Sequence, residues 1–319
     1  MNKQYFSLYS FAVPVRGSEQ SIICNLYNAG YTNIPPFLYE LLTEYSGETV
    51  ESLSSIYGDT TGQLKQYFDY LSSRNLGTFT DRVDAFPKMS LDWYEESILK
   101  SAIIQLDNLN KFDYKGLMNK LIALGCRHLE LWCSKGINIK DLTQWLQGTE
   151  SSVVRAVDIY LYYDENTSPQ VYLDIYKSCS KVNEVFVMKS PSKGKHKEER
   201  VYFIKQDLNQ KRYNKNIPFD EFIICIEFFT ESIKHNPYYN NKVCIDRNGL
   251  IKNSLDHKLN FGSITDIDLG SVVRSEEFQE LWYACNDKVV ELKDSPYRYI
   301  WMNTYELKKI GTDLYSIIT

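Results

Sequence analysis

Residues 101–133 read SAIIQLDNLNKFDYKGLMNKLIALGCRHLELWC, and their pattern of apolar residues predicts the fold class of the central region. The stretch begins with a short apolar run, SAIIQLDN, which predicts a strand. Apolar side chains at a helical spacing follow between Lys115 and Gly125, and they predict an amphipathic helix. The run HLELW at 128–132 predicts the next strand. A strand, a helix and a strand in this order imply two parallel strands joined by a right-handed crossover.

The same alternation continues downstream of this unit. In chain order, the further predicted elements are a helix at 139–146, a strand within 153–163, a helix at 170–179, and strands at 182–188, 201–206 (VYFIKQ) and 221–229 (EFIICIEFF). Repeated units of this kind predict an α/β fold with parallel strands. Five or six strands are too few for a full eight-fold barrel. The sequence therefore predicts either a partial (β/α) barrel or an open α/β sheet.

Residues 1–85 have the pattern of a separate small module. Two strand-like runs, at 4–15 and 20–27, precede three predicted helices and a short wing at 78–80. Proline is favoured in the first turn of a helix, and Pro35-Pro36 stands where the first of these helices begins. The order of elements predicts a winged-helix module.

The last part of the chain, 229–319, has a different texture. The run VCIDRNGLIKNS predicts a β-hairpin that turns at Arg247-Asn248-Gly249, because Asn-Gly is a strong hairpin signal. A helix is predicted from Ser275 to Trp282. This region is interpreted as a third domain.

Composition excludes several classes of function. A net charge of -5 argues against general nucleic-acid binding, which needs a basic surface. No apolar stretch approaches the roughly 20 residues that span a bilayer. The N-terminal run MNKQYFSLYSF lacks the apolar region of a signal peptide. We therefore expect a soluble, cytoplasmic protein without a membrane partner.

The residues that usually perform chemistry do not form a recognisable motif. The seven cysteines stand singly, whereas metal and cluster sites usually take ligands from closely spaced pairs. We therefore predict no metal and no cofactor. Two carboxylates, Asp107 after the first strand of the α/β region and Glu227 near the end of the last, could perform acid–base chemistry in a cavity. The alternative is that they cap helices or face solvent.

Several segments together resemble the SPASM-domain peptide maturases of grasp-with-SPASM gene systems, which accompany an ATP-grasp ligase in ribosomal-peptide (RiPP) maturation. Four of these segments are SIICNLYNAGYTNIPPFLYELL at 21–42, LIALGCRHLELW at 121–132, NKVCIDRNGLIKNS at 241–254 and KDSPYRYIWMNT at 293–304. The chain is also similar to pseudo-radical-SAM proteins that partner peptide maturases. The resemblance implies a RiPP recognition element at 1–85, a partial (β/α) barrel of radical-SAM type at 95–228 and a degenerate SPASM-like domain at 229–319.

The chain departs from that family at its cluster-binding cysteines. In the last segment and at the residue before it, the four cysteine positions of the family fall on Leu292, Ser295, Trp301 and Thr304, and two earlier ones fall on Ser254 and near Tyr238. Between Cys24 and Cys126 there is no cysteine, so the radical-SAM signature C-x-x-x-C-x-x-C is missing as well. Leu and Trp cannot ligate iron, and Ser and Thr are poor substitutes for thiolates. The former auxiliary-cluster pocket is therefore expected to be either a packed core or a binding cavity.

In the family, the winged-helix module binds the leader of a precursor peptide by adding it as a strand to a sheet edge beside a helix. The resemblance implies that the second strand and the third helix form this site in the present chain. The candidate residues are Ile22, Ile23, Asn25, Tyr27, Gln63, Gln66, Tyr67 and Tyr70. Each of them could instead belong to the core, since a strand divides its side chains between two faces.

The resemblance implies a cofactor-less accessory protein that binds a precursor peptide and presents it to a partner enzyme. The partner would be an ATP-grasp ligase or an active radical-SAM maturase. Two alternatives stay open. One is a repurposed, non-radical peptide-modifying enzyme that uses Asp107 and Glu227, and the other is a purely structural subunit of a maturase complex.

Overall fold

The computed structural model describes residues 3–109, 111–196, 200–207 and 222–318. Contacts group the chain into two compact units, each assembled from segments that are distant in sequence. The first unit comprises the described residues of 1–94, 218–237 and 284–319, and the second comprises those of 95–217 and 238–283. The three contiguous domains expected from the sequence remain a prediction.

The first ninety-four residues contain five strands and three helices in the described range. In order these are β1 (Tyr5–Leu8), β2 (Ala12–Val15), β3 (Ser21–Asn25), β4 (Gly30–Ile34), α1 (Pro36–Thr43), α2 (Val50–Tyr57), α3 (Gln63–Ser73) and β5 (Gly77–Thr80). Strands β2, β3 and β4 form an antiparallel sheet with β3 in the centre, and β1 pairs with β5. The run predicted as one strand at 4–15 is thus two strands, and β4 was not predicted.

The chain then continues through both units. Its further elements are β6 (Ser101–Leu106), α4 (Tyr114–Ala123), β7 (His128–Cys133), α5 (Ile139–Gln147), β8 (Ala156–Tyr162), α6 (Pro169–Lys177), β9 (Val182–Met188), β10 (Gly194–His196), β11 (Val201–Phe203), α7 (Ile226–Lys234), β12 (Lys242–Ile245), β13 (Ile251–Lys252), α8 (Leu269–Val273), α9 (Glu276–Gln279), β14 (Leu307–Gly311) and β15 (Leu314–Ile317). Within the described ranges, no helix combines the length and the apolar character that crossing a bilayer requires.

The second unit is built on an eight-stranded sheet with the order β10-β11-β9-β8-β7-β6-β12-β13. Six neighbouring strands, from β11 to β12, are parallel. Helices α4, α5 and α6 pack on one face, where apolar side chains such as Leu121, Leu142 and Ile175 are fully buried. The predicted α/β fold with a parallel sheet is therefore confirmed.

The opposite face of this sheet carries an aromatic row. Trp132, Tyr160, Phe186 and Tyr202 occupy one register line across β7, β8, β9 and β11. The rings of Tyr160 and Phe186 stack with centroids 4.8 Å apart, and those of Phe186 and Tyr202 stack at 5.2 Å. Aromatic cross-strand pairs of this kind stabilise a sheet.

Two predictions for the sheet are corrected. The hairpin at Arg247-Asn248-Gly249 forms as predicted, but its first strand, β12, joins the large sheet beside β6. The run EFIICIEFF is not a strand where it is described, because Ile226–Lys234 is the helix α7. A short apolar run fits either element, so its tertiary contacts decide. Phe229 and Ile233, one helical turn apart, both pack into one apolar cluster.

The end of α3 differs from its prediction in a similar way. The sequence favours Gly77 as the stop signal, but Asn75 takes the left-handed conformation, with φ 54°. Gly77 is instead needed for close packing in β5. A Cβ atom there would lie 2.5 Å from the carbonyl oxygen of Ser7 and 2.8 Å from the ring of Phe6.

Candidate peptide-binding site

The sheet of the N-terminal segment has one edge that is open beside α3. Strand β4 pairs with β3 along its whole length. In the part of the chain that the structure describes, no strand and no backbone hydrogen bond occupies its other edge. Ile34 packs into the core beneath the helices, so Thr32, two positions away, faces the same side. Tyr31 and Asn33 face the other side.

A cavity of about 290 Å³ lies between β4, the β3–β4 turn and the C-terminal end of α3. Its lining is mostly polar and includes Asn28, Thr32, Ser73, Arg74 and Asn75. Arg74 is exposed, and among the described residues its guanidinium has no ion-pair partner. The cavity therefore offers polar groups and one available cation directly beside an unpaired strand edge.

Two of the residues predicted on the second strand belong to the core. Ile22 and Ile23 are both 0% exposed. Strand β3 also has no free edge, because β2 and β4 pair with both of its sides. The edge strands of this sheet are β2 and β4, and of the two it is β4 whose residues line the cavity. The candidate strand for a peptide is therefore β4 and not β3.

The other two predicted residues of this region lie at the β3–β4 turn. Asn25 is buried, lines the cavity, and its Oδ1 accepts hydrogen bonds from the backbone N–H groups of Tyr27 and Asn28, both at 3.1 Å. It thus shapes the turn that positions the start of β4. Tyr27 is 83% exposed, and its ring lies 5.5 Å from that of Phe11.

The predicted residues of the third helix lie along one side of α3. Gln63, Gln66 and Tyr70 are exposed, whereas Tyr67 is half-buried against Phe37, with ring centroids 5.5 Å apart. Their spacing of three and four residues continues through Ser73 into the cavity. The C-terminal end of this row, at Ser73, lines the same cavity as Gly30 and Thr32 of β4.

Sequence reasoning missed β4 and Arg74. Exposed and buried positions alternate from Tyr31 to Ile34, but polar and apolar residue types do not, since Thr32 and Asn33 are both polar, so GYTNI at 30–34 is a weak strand signal. The positive φ of Ala29, 56°, closes the turn before it, but alanine gives no sequence signal for that conformation.

The two candidate cavity carboxylates stand in different environments. Asp107 is half-buried at the C-terminal end of β6. Burial, with the nearby Asp107 and Cys133, raises the pKa of Tyr114 to about 12. Glu227 is exposed in the first turn of α7, so its predicted place at a strand end is corrected. Their joint use as acid and base stays a prediction.

The carboxyl edge of the large sheet also holds an ion pair. Lys189 Nζ lies 2.5 Å from Asp207 Oδ2, and the hydroxyl of Tyr162 donates to Asp207 Oδ1 at 3.1 Å. Burial and the bond to Asp207 raise the pKa of Tyr162. Lys189 neutralises the charge of Asp207, and the bond from Tyr162 fixes the position of that carboxylate.

Three buried thiols of this chain are poorly suited to bind a metal. Burial raises the pKa of Cys24, Cys126 and Cys133 to about 12, whereas a metal ligand is the thiolate. Among the residues that the structure describes, no three His, Cys, Asp or Glu side chains are grouped so that they could hold a metal ion. At the former cysteine positions, Leu292 and Trp301 are buried.

The segment at 293–300 has a structural role instead. Arg298 Nε pairs with Asp287 Oδ1 at 2.6 Å, and its Nη1 donates to the carbonyl oxygens of Arg16 and Ser295. The N–H of Ser18 donates to the carbonyl oxygen of Asp294 at 3.1 Å. These bonds attach the β2–β3 turn to the C-terminal segment.

Comparisons with known proteins give limited similarity. No protein-family model and no curated protein matches the chain. Solved structures of Streptococcus suis SuiB are similar to it: one bound to S-adenosylmethionine is 10% identical with a TM-score of 0.39, and one bound to the precursor peptide SuiA is 10% identical with a TM-score of 0.37. Each alignment covers 95% of this chain and 94% of the other. A likeness of this degree identifies no family.

Proposed function

We propose that this chain binds an extended precursor peptide along the open edge of β4, beside α3, and presents it to a partner enzyme. The observation that carries the proposal is the unpaired edge of β4 next to the polar cavity at the end of α3. A peptide added there would form backbone hydrogen bonds with β4 and place alternate side chains against α3.

Two further features support a peptide as the ligand. Arg74 supplies a cation that an acidic side chain of the peptide could pair with. Tyr70, which is 47% exposed, offers a rigid amphipathic surface one turn before the cavity. The resemblance to peptide maturases, whose winged-helix module binds a leader, agrees with this placement.

Within this proposal the chemistry belongs to the partner. The resemblance implies an ATP-grasp ligase or an active radical-SAM maturase. The positions that would hold an auxiliary cluster carry Leu292 and Trp301, which have no ligand atom suited to iron. The accessory role as a cofactor-less, leader-binding protein is therefore the function that we propose for the chain.

The test is fluorescence anisotropy with a labelled precursor peptide encoded beside the gene, using the full chain. Arg74→Glu and Tyr70→Ala are each expected to weaken binding by roughly five- to tenfold, as side chains at the centre of an interface do. The matched controls are Lys88→Glu and Tyr45→Ala, which change exposed residues elsewhere in the same unit. Both controls should stay within about twofold of the parent.

The result that contradicts the proposal is equally defined. The proposal of leader recognition at β4 is wrong if the full chain binds no precursor peptide. It is also wrong if the variants Arg74→Glu and Tyr70→Ala bind as well as the two control variants. Co-purification with a partner enzyme in the absence of peptide binding would then favour the structural-subunit alternative.

A further inference from the structure

Three aromatic rings meet on the side of β4 that faces away from α3. They are Tyr31 in β4, Phe222 before α7, and Tyr297 in the C-terminal segment. The rings of Phe222 and Tyr297 stack at 4.8 Å with 16° between their planes. Tyr31 meets both edge-on, with centroids 5.4 Å from Phe222 and 5.5 Å from Tyr297. We call these three residues the aromatic shelf.

The shelf is fixed to β4 by a second contact. The hydroxyl of Tyr297 donates to Asn33 Oδ1 at 3.4 Å. Tyr31 and Asn33 are two positions apart in the strand, so both lie on the same face of the sheet. Thr32, between them, faces the α3 side, and both Thr32 and Tyr31 line the cavity. The open edge of β4 therefore has the end of α3, with Arg74, on one face and the aromatic shelf on the other, and Tyr31 borders both the shelf and the cavity.

The shelf is not fully covered by the chain itself. Tyr31 is 36% exposed, and Phe222 and Tyr297 are only half-buried. Large aromatic surface that stays partly open beside an unpaired strand edge is well suited to contact a ligand, because aromatic pairs gain energy beyond the area that they bury.

We propose that the aromatic shelf is a second subsite for the peptide that adds to β4, and that it selects a peptide with alternating chemistry. The proposal rests on the proposed function. A strand added to β4 directs successive side chains to opposite faces. Its residues facing the shelf would be aromatic or large aliphatic, and a residue an odd number of positions away would be acidic, to pair with Arg74.

Charge favours a separate peptide over a second copy of this chain as the occupant. Two copies that joined through β4 would form one antiparallel sheet with both α3 helices on the same face. The two Arg74 side chains would then lie in one shared groove, where like charges repel. An acidic peptide strand instead supplies the opposite charge.

The test uses fluorescein-labelled, overlapping twelve-residue segments of the precursor encoded beside the gene, measured by anisotropy with the full chain. Tyr31→Ala should weaken the best segment about tenfold, the size of a lost aromatic contact. Tyr45→Ala is the matched control, since Tyr45 is 41% exposed in the same unit.

The segment itself supplies the second arm of the test. Replacing its aromatic or large aliphatic residue with Ala should weaken binding to the parent about tenfold, and should have little further effect on the Tyr31→Ala variant. Replacing the acidic residue should have little further effect on the Arg74→Glu variant.

The outcomes separate the two proposals. Loss with Arg74→Glu but not with Tyr31→Ala would overturn the shelf and leave the proposed function standing. Absence of binding by every segment and by the whole precursor would overturn the proposed function, and the shelf subsite with it. Non-additive losses between Tyr31 and one peptide residue would establish the shelf as a subsite.

Discussion

Ile22 and Ile23 are neighbours in β3 and both are fully buried, yet they belong to two different apolar clusters. Ile23 packs beneath the helices with Leu38 and Phe68. Ile22 packs on the other face of the sheet with Phe229 and Ile300, which come from distant parts of the chain. The sheet of the predicted winged-helix module is therefore covered on both faces within the first unit.

This relationship predicts equal sensitivity at the two positions. Ile22→Ala and Ile23→Ala should each lower the free energy of unfolding by roughly 2–5 kcal/mol, because each leaves a cavity in a closed core. Urea denaturation of the two variants measures this. Val83→Ala, at a position that is 54% exposed, is the control and should change it by less than about 0.5 kcal/mol. A near-neutral Ile22→Ala would mean that the second face of the sheet is open.

Arg298 should be important for the stability of the first unit. Its guanidinium pairs with Asp287 and donates to the carbonyl oxygen of Arg16, and its side chain is only 13% exposed. Arg298→Ala leaves these acceptors without their donor, so we expect a loss of about 1–3 kcal/mol in the free energy of unfolding. Thermal unfolding measures it, with Lys88→Ala as the exposed control. An unchanged melting temperature would show that these bonds contribute nothing net.

Gly77 should not tolerate a side chain. Gly77→Ala places a Cβ atom 2.5 Å from the backbone oxygen of Ser7, so β1 and β5 must separate. The expected loss is on the order of 1–3 kcal/mol, as for overpacked sites. Gly311→Ala is the matched control, because the nearest atom to its Cβ lies 3.7 Å away, at ordinary contact distance. Equal stability of the two variants in urea would contradict the close packing of β1 on β5.

His128 should contribute to stability only at low pH. Burial lowers the pKa of His128, but the 2.7 Å bond to Asp158 and the charges of Asp158 and Glu130 outweigh it, and the pKa is raised. The protonated ring thus stabilises the fold fully below its unfolded pKa of about 6.5, and this stabilisation is lost as pH rises through the higher folded value.

The measurement compares the parent with His128→Gln in urea at pH 5.5 and pH 8.5. The stability gap between the two proteins should be larger at pH 5.5. The difference should be below about 1 kcal/mol, since the side chain is 38% exposed and solvent screens the pair. A gap that grows with pH would have the wrong sign for this pair.

The two candidate carboxylates allow a test of the enzyme alternative. Glu227 is exposed in the first turn of α7, where an acidic side chain interacts favourably with the helix dipole. We therefore expect a chain that carries both Asp107→Asn and Glu227→Gln to support peptide modification by the partner enzyme at the parent rate. Mass spectrometry of the precursor peptide measures this rate. Loss of product with intact peptide binding would favour the repurposed-enzyme alternative.

The sequence predicted best those elements whose pattern is local and long. The unit β6-α4-β7 follows from the sequence of 101–133, because its apolar residues fit a strand pattern in β6 and β7 and a helical spacing in α4, without ambiguity between the two. The predicted strand at 221–229 was wrong where it overlaps α7. The apolar run around Phe228 fits the period of a strand and that of a helix, so only its tertiary contacts distinguish the two. For the site, the candidate residues on the third helix stay a prediction, and the candidate strand changes from β3 to β4, because Ile22 and Ile23 are buried. The sequence could not show this, because its alternation does not distinguish a buried central strand from an edge strand.

The most direct test of peptide addition to β4 is backbone amide hydrogen exchange with and without the precursor peptide encoded beside the gene. The account predicts that exchange slows on binding at Gly30–Ile34, where the outward N–H groups of β4 gain hydrogen bonds, while exchange in β12 and β13 of the second unit stays unchanged. Binding that leaves the exchange of β4 unchanged would contradict the account, because the peptide would then occupy another surface.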